Sequence, residues 1–350
     1  MPSGFSPPLP KRGVRLRLAP VHVSEDRVIR TVAGLRPFRP GGFVVRAERL
    51  GDRTLVHNYG HGGGGVTLSW GTAELAVNAG FAGPDRDYAV LGCGAVGLAT
   101  ARLLQRRGGR VTIYAEHLPP DTTSNIAGGQ WWPASVYDDD AATPAYLVQH
   151  AEAARLAYRQ WQTLTGENYG VRWTRNYAVS RRPNPGQVGD DDPLRALAPE
   201  VRTLAADEHP FTGLHVRQYD TMMVEPPVYL QAVLEDVMTA GGRISVRRFE
   251  TPAAVAALPE PVVFNCTGLG AGALFGDREI LPVKGVLVVL LPQPEVTYNL
   301  LGGGGYMFPR RDGIVLGGSF DRGDWDLTPE PHQIERILRQ HRALFEAMAR

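Results

Sequence analysis

The sequence predicts an α/β fold in two parts: parallel strands alternating with helices, and a second, mainly antiparallel sheet. Short apolar strands alternate with helical stretches from Arg53 onward, which is the α/β signature. A glycine-rich turn, GCGAVG at Gly92 to Gly97, joins a strand directly to a helix. Strand-like runs bounded by glycine or proline, FVVRAERL (43–50), VLVVLL (286–291) and GIVLGGSF (313–320), lie outside that alternation and suggest the second sheet.

Taken in order, Arg53 to Val56 is a strand leading into HNYGHGGGGVTLSWG (57–71), a loop with five glycines followed by a helix-like run. YAVLG (88–92), AVGLATARLLQRRG (95–108) and RVTIYAE (110–116) make one strand–helix–strand unit, the helix ending at glycine. Leu147, Ala151, Ala154, Tyr158 and Trp161 recur at helical spacing, so 146–165 reads as an amphipathic helix with a structural role. The chain then turns irregular from Asn176 to Glu225, where the acidic run at Asp190, Asp191 and Asp192 reads as a solvated loop. Tyr229 to Ala240 is helical, and RISVRRFE (243–250) and PVVFNCTG (261–268) are strands suited to the parallel sheet.

Composition excludes several classes. A chain of 350 residues, 43% hydrophobic and 21% charged, is long enough for two domains with a real core. A net charge of +1, with no basic run interleaved with aromatics, argues against nucleic acid as a partner. No apolar run approaches a membrane span, and the proline-rich start lacks the apolar core of an export signal, so a cytoplasmic protein is expected. Cys93 and Cys266 read as buried free thiols, and His57 and His61 have no further ligands at metal spacing, so no metal is expected.

Gly92, Gly94 and Gly97 form G-x-G-x-x-G between strand and helix, with Glu116 at the end of the next strand. The first glycine permits the tight turn, the second admits a pyrophosphate to the backbone, and the third lets helix and strand pack closely. The helix N-terminus adds unpaired N–H groups that favour phosphate, and Glu116 can accept from a ribose. The pattern predicts a dinucleotide without choosing between NAD and FAD. TTSNIAGGQWWP (122–133) follows, its hydroxyls and paired glycines suited to tracking the cofactor onward, with Trp131 and Trp132 either core or cleft wall. GLRPFRP (34–40) sets Arg36 and Arg39 beside prolines, as carboxylate binders or as surface salt bridges; Tyr306 is equally open between core and site.

GCGAVGLATARLL, Glu116, TTSNIAGGQWWP, VVFNCTGLGAGAL (262–274), YMFPRRDGIVLGGSF (306–320), GLRPFRP and HNYGHGGGGVTLSWG together resemble the D-amino-acid oxidase family of FAD-dependent flavoproteins. The resemblance implies an FAD-binding Rossmann-like domain over 51–134 and 228–275, and a substrate domain over 1–50, 135–227 and 276–350. It also exposes an altered order. In the family the GLRPFRP-like and HNYGHGG-like segments follow the YMFP…LGGSF strand pair, whereas here they precede the fingerprint. Circular permutation accounts for this, the old ends being joined through residues 79–87. The C-terminal helix and the N-terminal strand should then be neighbours.

The resemblance implies roles residue by residue. Gly92, Gly94, Ala95, Val96 and Gly97 surround the pyrophosphate, Glu116 meets the ribose and His117 stands on the adenosine side. Thr122, Thr123, Ser124, Gly129 and Gln130 contact the cofactor, Phe249 and Thr267 lie by the adenine or diphosphate, and Gly62, Gly63, Gly64, Gly65, Val66 and Thr67 meet the flavin side. Arg36 pairs with the substrate carboxylate, Tyr306 reaches it by its hydroxyl, and the Gly63 carbonyl receives the amine. A second family tyrosine, on a lid, aligns with Gly302, with Tyr298 as a conceivable substitute; Gly64 stands where a bulkier residue is common, leaving a barer loop.

The implied chemistry is oxidative deamination of a D-amino acid: hydride passes from the α-carbon to flavin N5, dioxygen reoxidises the flavin to give hydrogen peroxide, and the imino acid hydrolyses to keto acid and ammonia. Substrate and dioxygen are then the partners, and a homodimer is compatible with the family. Rival readings are oxidation or dehydrogenation of a secondary, N-methyl or bulkier amine, an NAD-dependent dehydrogenase, and a non-catalytic flavin-binding module.

Overall fold

The computed structural model describes residues 15–186, 188–189 and 192–348. The proline-rich start and the acidic pair Asp190 and Asp191 lie outside the described residues. Among the described residues two sheets form.

The six-stranded sheet contains β2 (Val44–Leu50), β3 (Arg53–Tyr59), β4 (Asp87–Leu91), β5 (Arg110–Ala115), β9 (Arg243–Val246) and β10 (Val262–Asn265), in the order β2-β3-β10-β4-β5-β9. All neighbours are parallel except β2 and β3. The order reverses direction between β4 and β10, the switch point where open α/β sheets place their ligands. Helices α1 (Gly65–Gly80), α2 (Ala95–Arg106), α3 (Pro144–Thr163) and α4 (Pro226–Thr239) stack beside this sheet, α1 packing on α2 and α3 and α2 on α4. Small residues permit the close approach: a Cβ at Gly71 would collide with the Ala153 backbone of α3. Of the helical-spacing residues in α3, Ala151, Ala154 and Trp161 are buried, but Leu147 faces solvent. Two short helices, α5 (Pro252–Ala256) and α6 (Gly270–Phe275), flank β10 in sequence.

The second sheet holds β1 (Val28–Phe38), β6 (Val171–Ser180), β7 (Arg202–Leu204), β8 (His215–Val224), β11 (Leu281–Leu290), β12 (Tyr298–Gly302), β13 (Gly305–Arg310), β14 (Gly313–Gly317) and the two-residue β15 (Asp321–Arg322). Its path is β1-β11-β14-β13-β12-β6-β8-β7, antiparallel except where β12 meets β6. Helix α7 (Pro331–Glu346) covers one face, burying Ile337, Leu338 and Phe345 in a cluster with Val21, Val23, Val288 and Leu316. The C-terminal helix and the N-terminal segment are neighbours: Arg342 Nε donates to the Val23 carbonyl at 3.1 Å.

Two sequence expectations change. Phe43 to Leu50, expected in the antiparallel sheet, instead supplies β2 at the edge of the parallel one. The two-residue turn at Gly51 and Asp52, with Gly51 at φ +59°, lets Leu50 pair with Arg53, so the nearest strand in sequence captures it. The stretch 176–225, expected to be irregular, contributes the second half of β6 and all of β7 and β8. These strands bury Arg175, Asn176, Gln218 and Asp220, with Arg175 paired to Asp220, so their alternation is not hydrophobic and does not show in the sequence.

Candidate active site

One large cavity, about 1140 Å³, runs from the C-terminal ends of β4, β5 and β10 to the open face of the second sheet. Its first end is built by the β4–α2 turn. Gly92 sits at φ +103°, a backbone conformation natural to glycine, and a Cβ there would meet the Cys266 carbonyl at 2.5 Å. A side chain on Gly97 would strike the Gly92 carbonyl, so Gly97 serves helix–strand packing and does not line the cavity. Gly92, Gly94, Ala95 and Val96 do line it. Gly94, at the N-cap of α2, offers no side-chain acceptor; Ser124 Oγ takes the Ala95 N–H at 3.0 Å. Helix N–H groups and a hydroxyl therefore face a void lined by glycine, which fits a pyrophosphate.

Glu116, His117, Phe249 and Thr267 line the same end. Glu116 and His117 are exposed at its mouth, and Arg248 donates to the Glu116 carboxylate at 3.1 Å. Sequence reasoning missed Arg248 because its partner lies on a different strand's end. Arg247 stacks 4.5 Å over the Phe249 ring, which forms a flat apolar wall. Thr267 Oγ1 is turned by a 2.7 Å bond to Asn265.

The middle is walled by Thr122, Thr123, Ser124, Gly129, Gln130 and Trp132. Gly129 holds φ +101° against the Val224 carbonyl, and its own carbonyl accepts from the Val224 N–H at 2.8 Å, which ties this segment to β8. The Gln130 side chain donates to Asn176 at 2.9 Å and Tyr219 at 3.3 Å. The tryptophans divide: Trp132 lines the cavity, Trp131 is core.

Opposite stands the glycine loop. Gly62, Gly63, Gly65 and Val66 line the cavity; Gly64 and Thr67 do not. Thr67 is buried, its hydroxyl 3.3 Å from the Trp132 carbonyl, and a Cβ on Gly64 would meet Val136 at 2.6 Å. The space at Gly64 is thus filled from the neighbouring segment. Gly63 N–H bonds the Ser135 carbonyl at 2.8 Å, so the bare loop packs backbone to backbone on one side and borders the cavity on the other.

At the far end, Arg36 on β1 and Tyr306 on β13 lean over the two strands between them. A Cβ on Gly285 of β11 would collide with the Arg36 guanidinium, and one on Gly317 of β14 with the Tyr306 ring. Two bare positions in the sheet make room for the two side chains. Arg36 Nη1 donates to the Ser319 carbonyl at 3.2 Å and has no carboxylate partner among the described residues, whereas Arg39 is spent on Asp277 at 2.8 Å and Glu279 at 2.6 Å. Tyr306 stacks on Phe308 with ring centroids 4.6 Å apart.

The lid position differs. Gly302 pairs with Gly305, so β12 and β13 close in a two-residue turn; Gly302 at φ +134° has the Val179 carbonyl where a Cβ would stand. Tyr298 cannot substitute, because it is buried on the opposite face and donates to the Ala19 carbonyl at 2.7 Å. Burial pushes the thiols of Cys93 and Cys266 up to about 12, so both stay protonated. Among the described residues no group of three or more His, Cys, Asp or Glu is arranged to hold a metal ion.

The model of the FAD dependent oxidoreductase family DAO matches residues 12–79 and 87–350, nearly the whole chain. The chain belongs to this family. As one of its members it is a flavoprotein oxidoreductase whose cofactor is FAD, and the glycine-lined void at α2 and the long cavity fit that group. It is 32% identical to a D-amino-acid oxidase of Streptomyces coelicolor over 74% of this chain and 78% of that one. A D-amino-acid oxidase of Dictyostelium discoideum is 28% identical, over 73% of this chain and 72% of the relative. The fold is similar to that of glycine oxidase from Geobacillus kaustophilus, with TM-score 0.56 and 18% identity over 75% of this chain and 80% of that one. The break in the family match, residues 80–86, runs from the last residue of α1 to the start of β4.

Proposed function

We propose that the protein oxidises a D-amino acid to the imino acid, which hydrolyses to keto acid and ammonia, with dioxygen reduced to hydrogen peroxide. The observation that carries this is Arg36: a guanidinium without a carboxylate partner among the described residues, set beside Tyr306 at the end of the cavity away from the dinucleotide fingerprint. Such a group is best satisfied by a planar anion held bidentately. Arg36 binds the α-carboxylate, the Tyr306 hydroxyl adds a second donor, and the Gly63 carbonyl receives the amine, which together orient the α C–H. FAD, when bound, supplies the two-electron acceptor and its reoxidation by dioxygen. No side-chain base is required, and orientation is the chain's main contribution. Phe308, Ile126 and Trp132 help exclude water from the walls.

The test is anaerobic addition of D- and then L-amino acids to the purified protein while the flavin absorbance is followed. Bleaching by D-isomers supports the reading; bleaching by L-isomers alone overturns it. The glycine turn at 303–304 favours a second reading, oxidation of secondary, N-methyl or bulkier amines, because no lid side chain narrows the cavity there. N-substituted substrates in the same panel separate the two.

We also propose that the chain is a circular permutant of the family. The split match, the Arg342–Val23 contact and the short 81–86 connection support it.

A further inference from the structure

Arg336, on α7, lines the same cavity as Arg36, alongside Gly304, Gly305, Tyr306 and Asp321. It is half-buried and, among the described residues, has neither a hydrogen bond nor a carboxylate within ion-pairing distance. Other arginines of this region are committed: Arg322 to Asp138 at 2.5 Å and Arg310 to Asp312 at 2.5 Å.

Its position is fixed by the neighbours on its helix. Three residues earlier, Gln333 Nε2 donates to Asp321 at 2.9 Å. Four residues later, the Gln340 amide lies 3.0 Å from where a Cβ on Gly304 would stand, and His341 Nε2 is 3.0 Å from the Tyr306 carbonyl. Spacings of three and four put Gln333, Arg336 and Gln340 on one face, so Arg336 stands between the Asp321 anchor and the glycine turn. That turn, Gly303 and Gly304, contributes no side chain of its own to the cavity. Asp321 is the acidic member of this part of the lining; it is held by Gln333 and stands beyond ion-pairing distance of Arg336. A half-buried guanidinium facing a partly desolvated cavity is costly unless an anion meets it.

We propose that Arg336 determines specificity by pairing with the side-chain carboxylate of an acidic D-amino acid, aspartate or glutamate, whose α-carboxylate Arg36 holds. This rests on the amino-acid oxidase reading above, and it names the substrate class. The bare turn then has a purpose: it uncovers the second cation.

The test compares the wild-type holoenzyme with Arg336→Met, which keeps length without charge, and Arg336→Lys. Binding of glutarate and of butyrate is read from the flavin absorbance, and kcat/KM from D-glutamate, D-aspartate and D-methionine. In the wild type glutarate binds about tenfold tighter than butyrate, and acidic substrates are preferred, as expected for one added charge pair. Arg336→Met loses that preference through a raised KM for D-glutamate and D-aspartate, with the smaller change falling on D-methionine, and Arg336→Lys restores part of it. A wild type that binds glutarate no tighter than butyrate, or a methionine variant with the preference intact, overturns the proposal. If no D-amino acid bleaches the flavin yet glutarate binding depends on Arg336, the substrate-oxidation reading fails and the second anion site stands.

Discussion

The Arg36 guanidinium lies over Gly285, in the space a Cβ on that glycine would need. The strand register places Gly285 opposite Gly34, two residues before Arg36, so the arginine's reach into the cavity depends on a residue 249 positions away. Gly285→Ala should therefore displace the guanidinium while leaving β11 in place. We expect KM for the amino acid to rise about tenfold, as for a misaligned charge-assisted pair, with flavin content unchanged; steady-state kinetics on the holoenzyme check it.

Removing the charge itself is more severe. Arg36→Ala should lower kcat/KM by at least ~100-fold, since a charge-assisted bond and substrate alignment are lost together. Flavin absorbance should remain, because the fingerprint end of the cavity is untouched. Unchanged kinetics would remove Arg36 from the site.

Gly129→Val tests the middle of the cavity. The residue holds φ +101° with the Val224 carbonyl in the path of any side chain, so the segment 122–130 must shift. The expected outcome is protein that folds and loses FAD on gel filtration, with the apoprotein seen as missing visible absorbance. Full retention of FAD would show that this segment does not grip the cofactor.

Stability should fall in acid because of His150. It is buried among Phe43, Tyr137 and Tyr146, and burial lowers its pKa to about 4. The unfolded chain holds the histidine near its ordinary value of 6.5, so between pH 6.5 and 4 the unfolded state binds more protons and stability is lost as pH falls. The loss by pH 4 is on the order of 3 kcal/mol from this group. His150→Phe should flatten the dependence of the urea midpoint on pH between 7 and 5; an unaltered slope would refute the assignment.

The permutation predicts that order can be reversed. A chain starting at residue 87 and ending with residues 15–80 joined after 348 should fold, bind FAD and oxidise the same substrates, because Arg342 and Val23 already touch. Insoluble or flavin-free product would count against it.

Much of the site was legible because its signals are local. A glycine needed for a turn, and the strand and helix around it, sit within a dozen residues, so the fingerprint at Gly92 and the segment 122–130 could be placed without a fold. That β4 and β5 form one parallel unit, and that β9 and β10 join its sheet, followed from the same alternation, while the strand order did not. The antiparallel half was less legible, because β6 and β8 bury polar side chains whose partners lie on other strands.

By itself the sequence determined the two-part α/β architecture, the dinucleotide end of the cavity and the candidates Arg36, Arg39 and Tyr306. Only the tertiary structure shows which of them are paired and which face the cavity. Arg39 is quenched by Asp277 and Glu279, Arg36 is left open over Gly285, Gly64 is covered by Val136, and Arg336 is brought to the cavity from α7. The physical reason is that a charge becomes a binding group through the absence of a nearby partner. That absence is a property of distances between remote segments, which no local pattern of residues encodes.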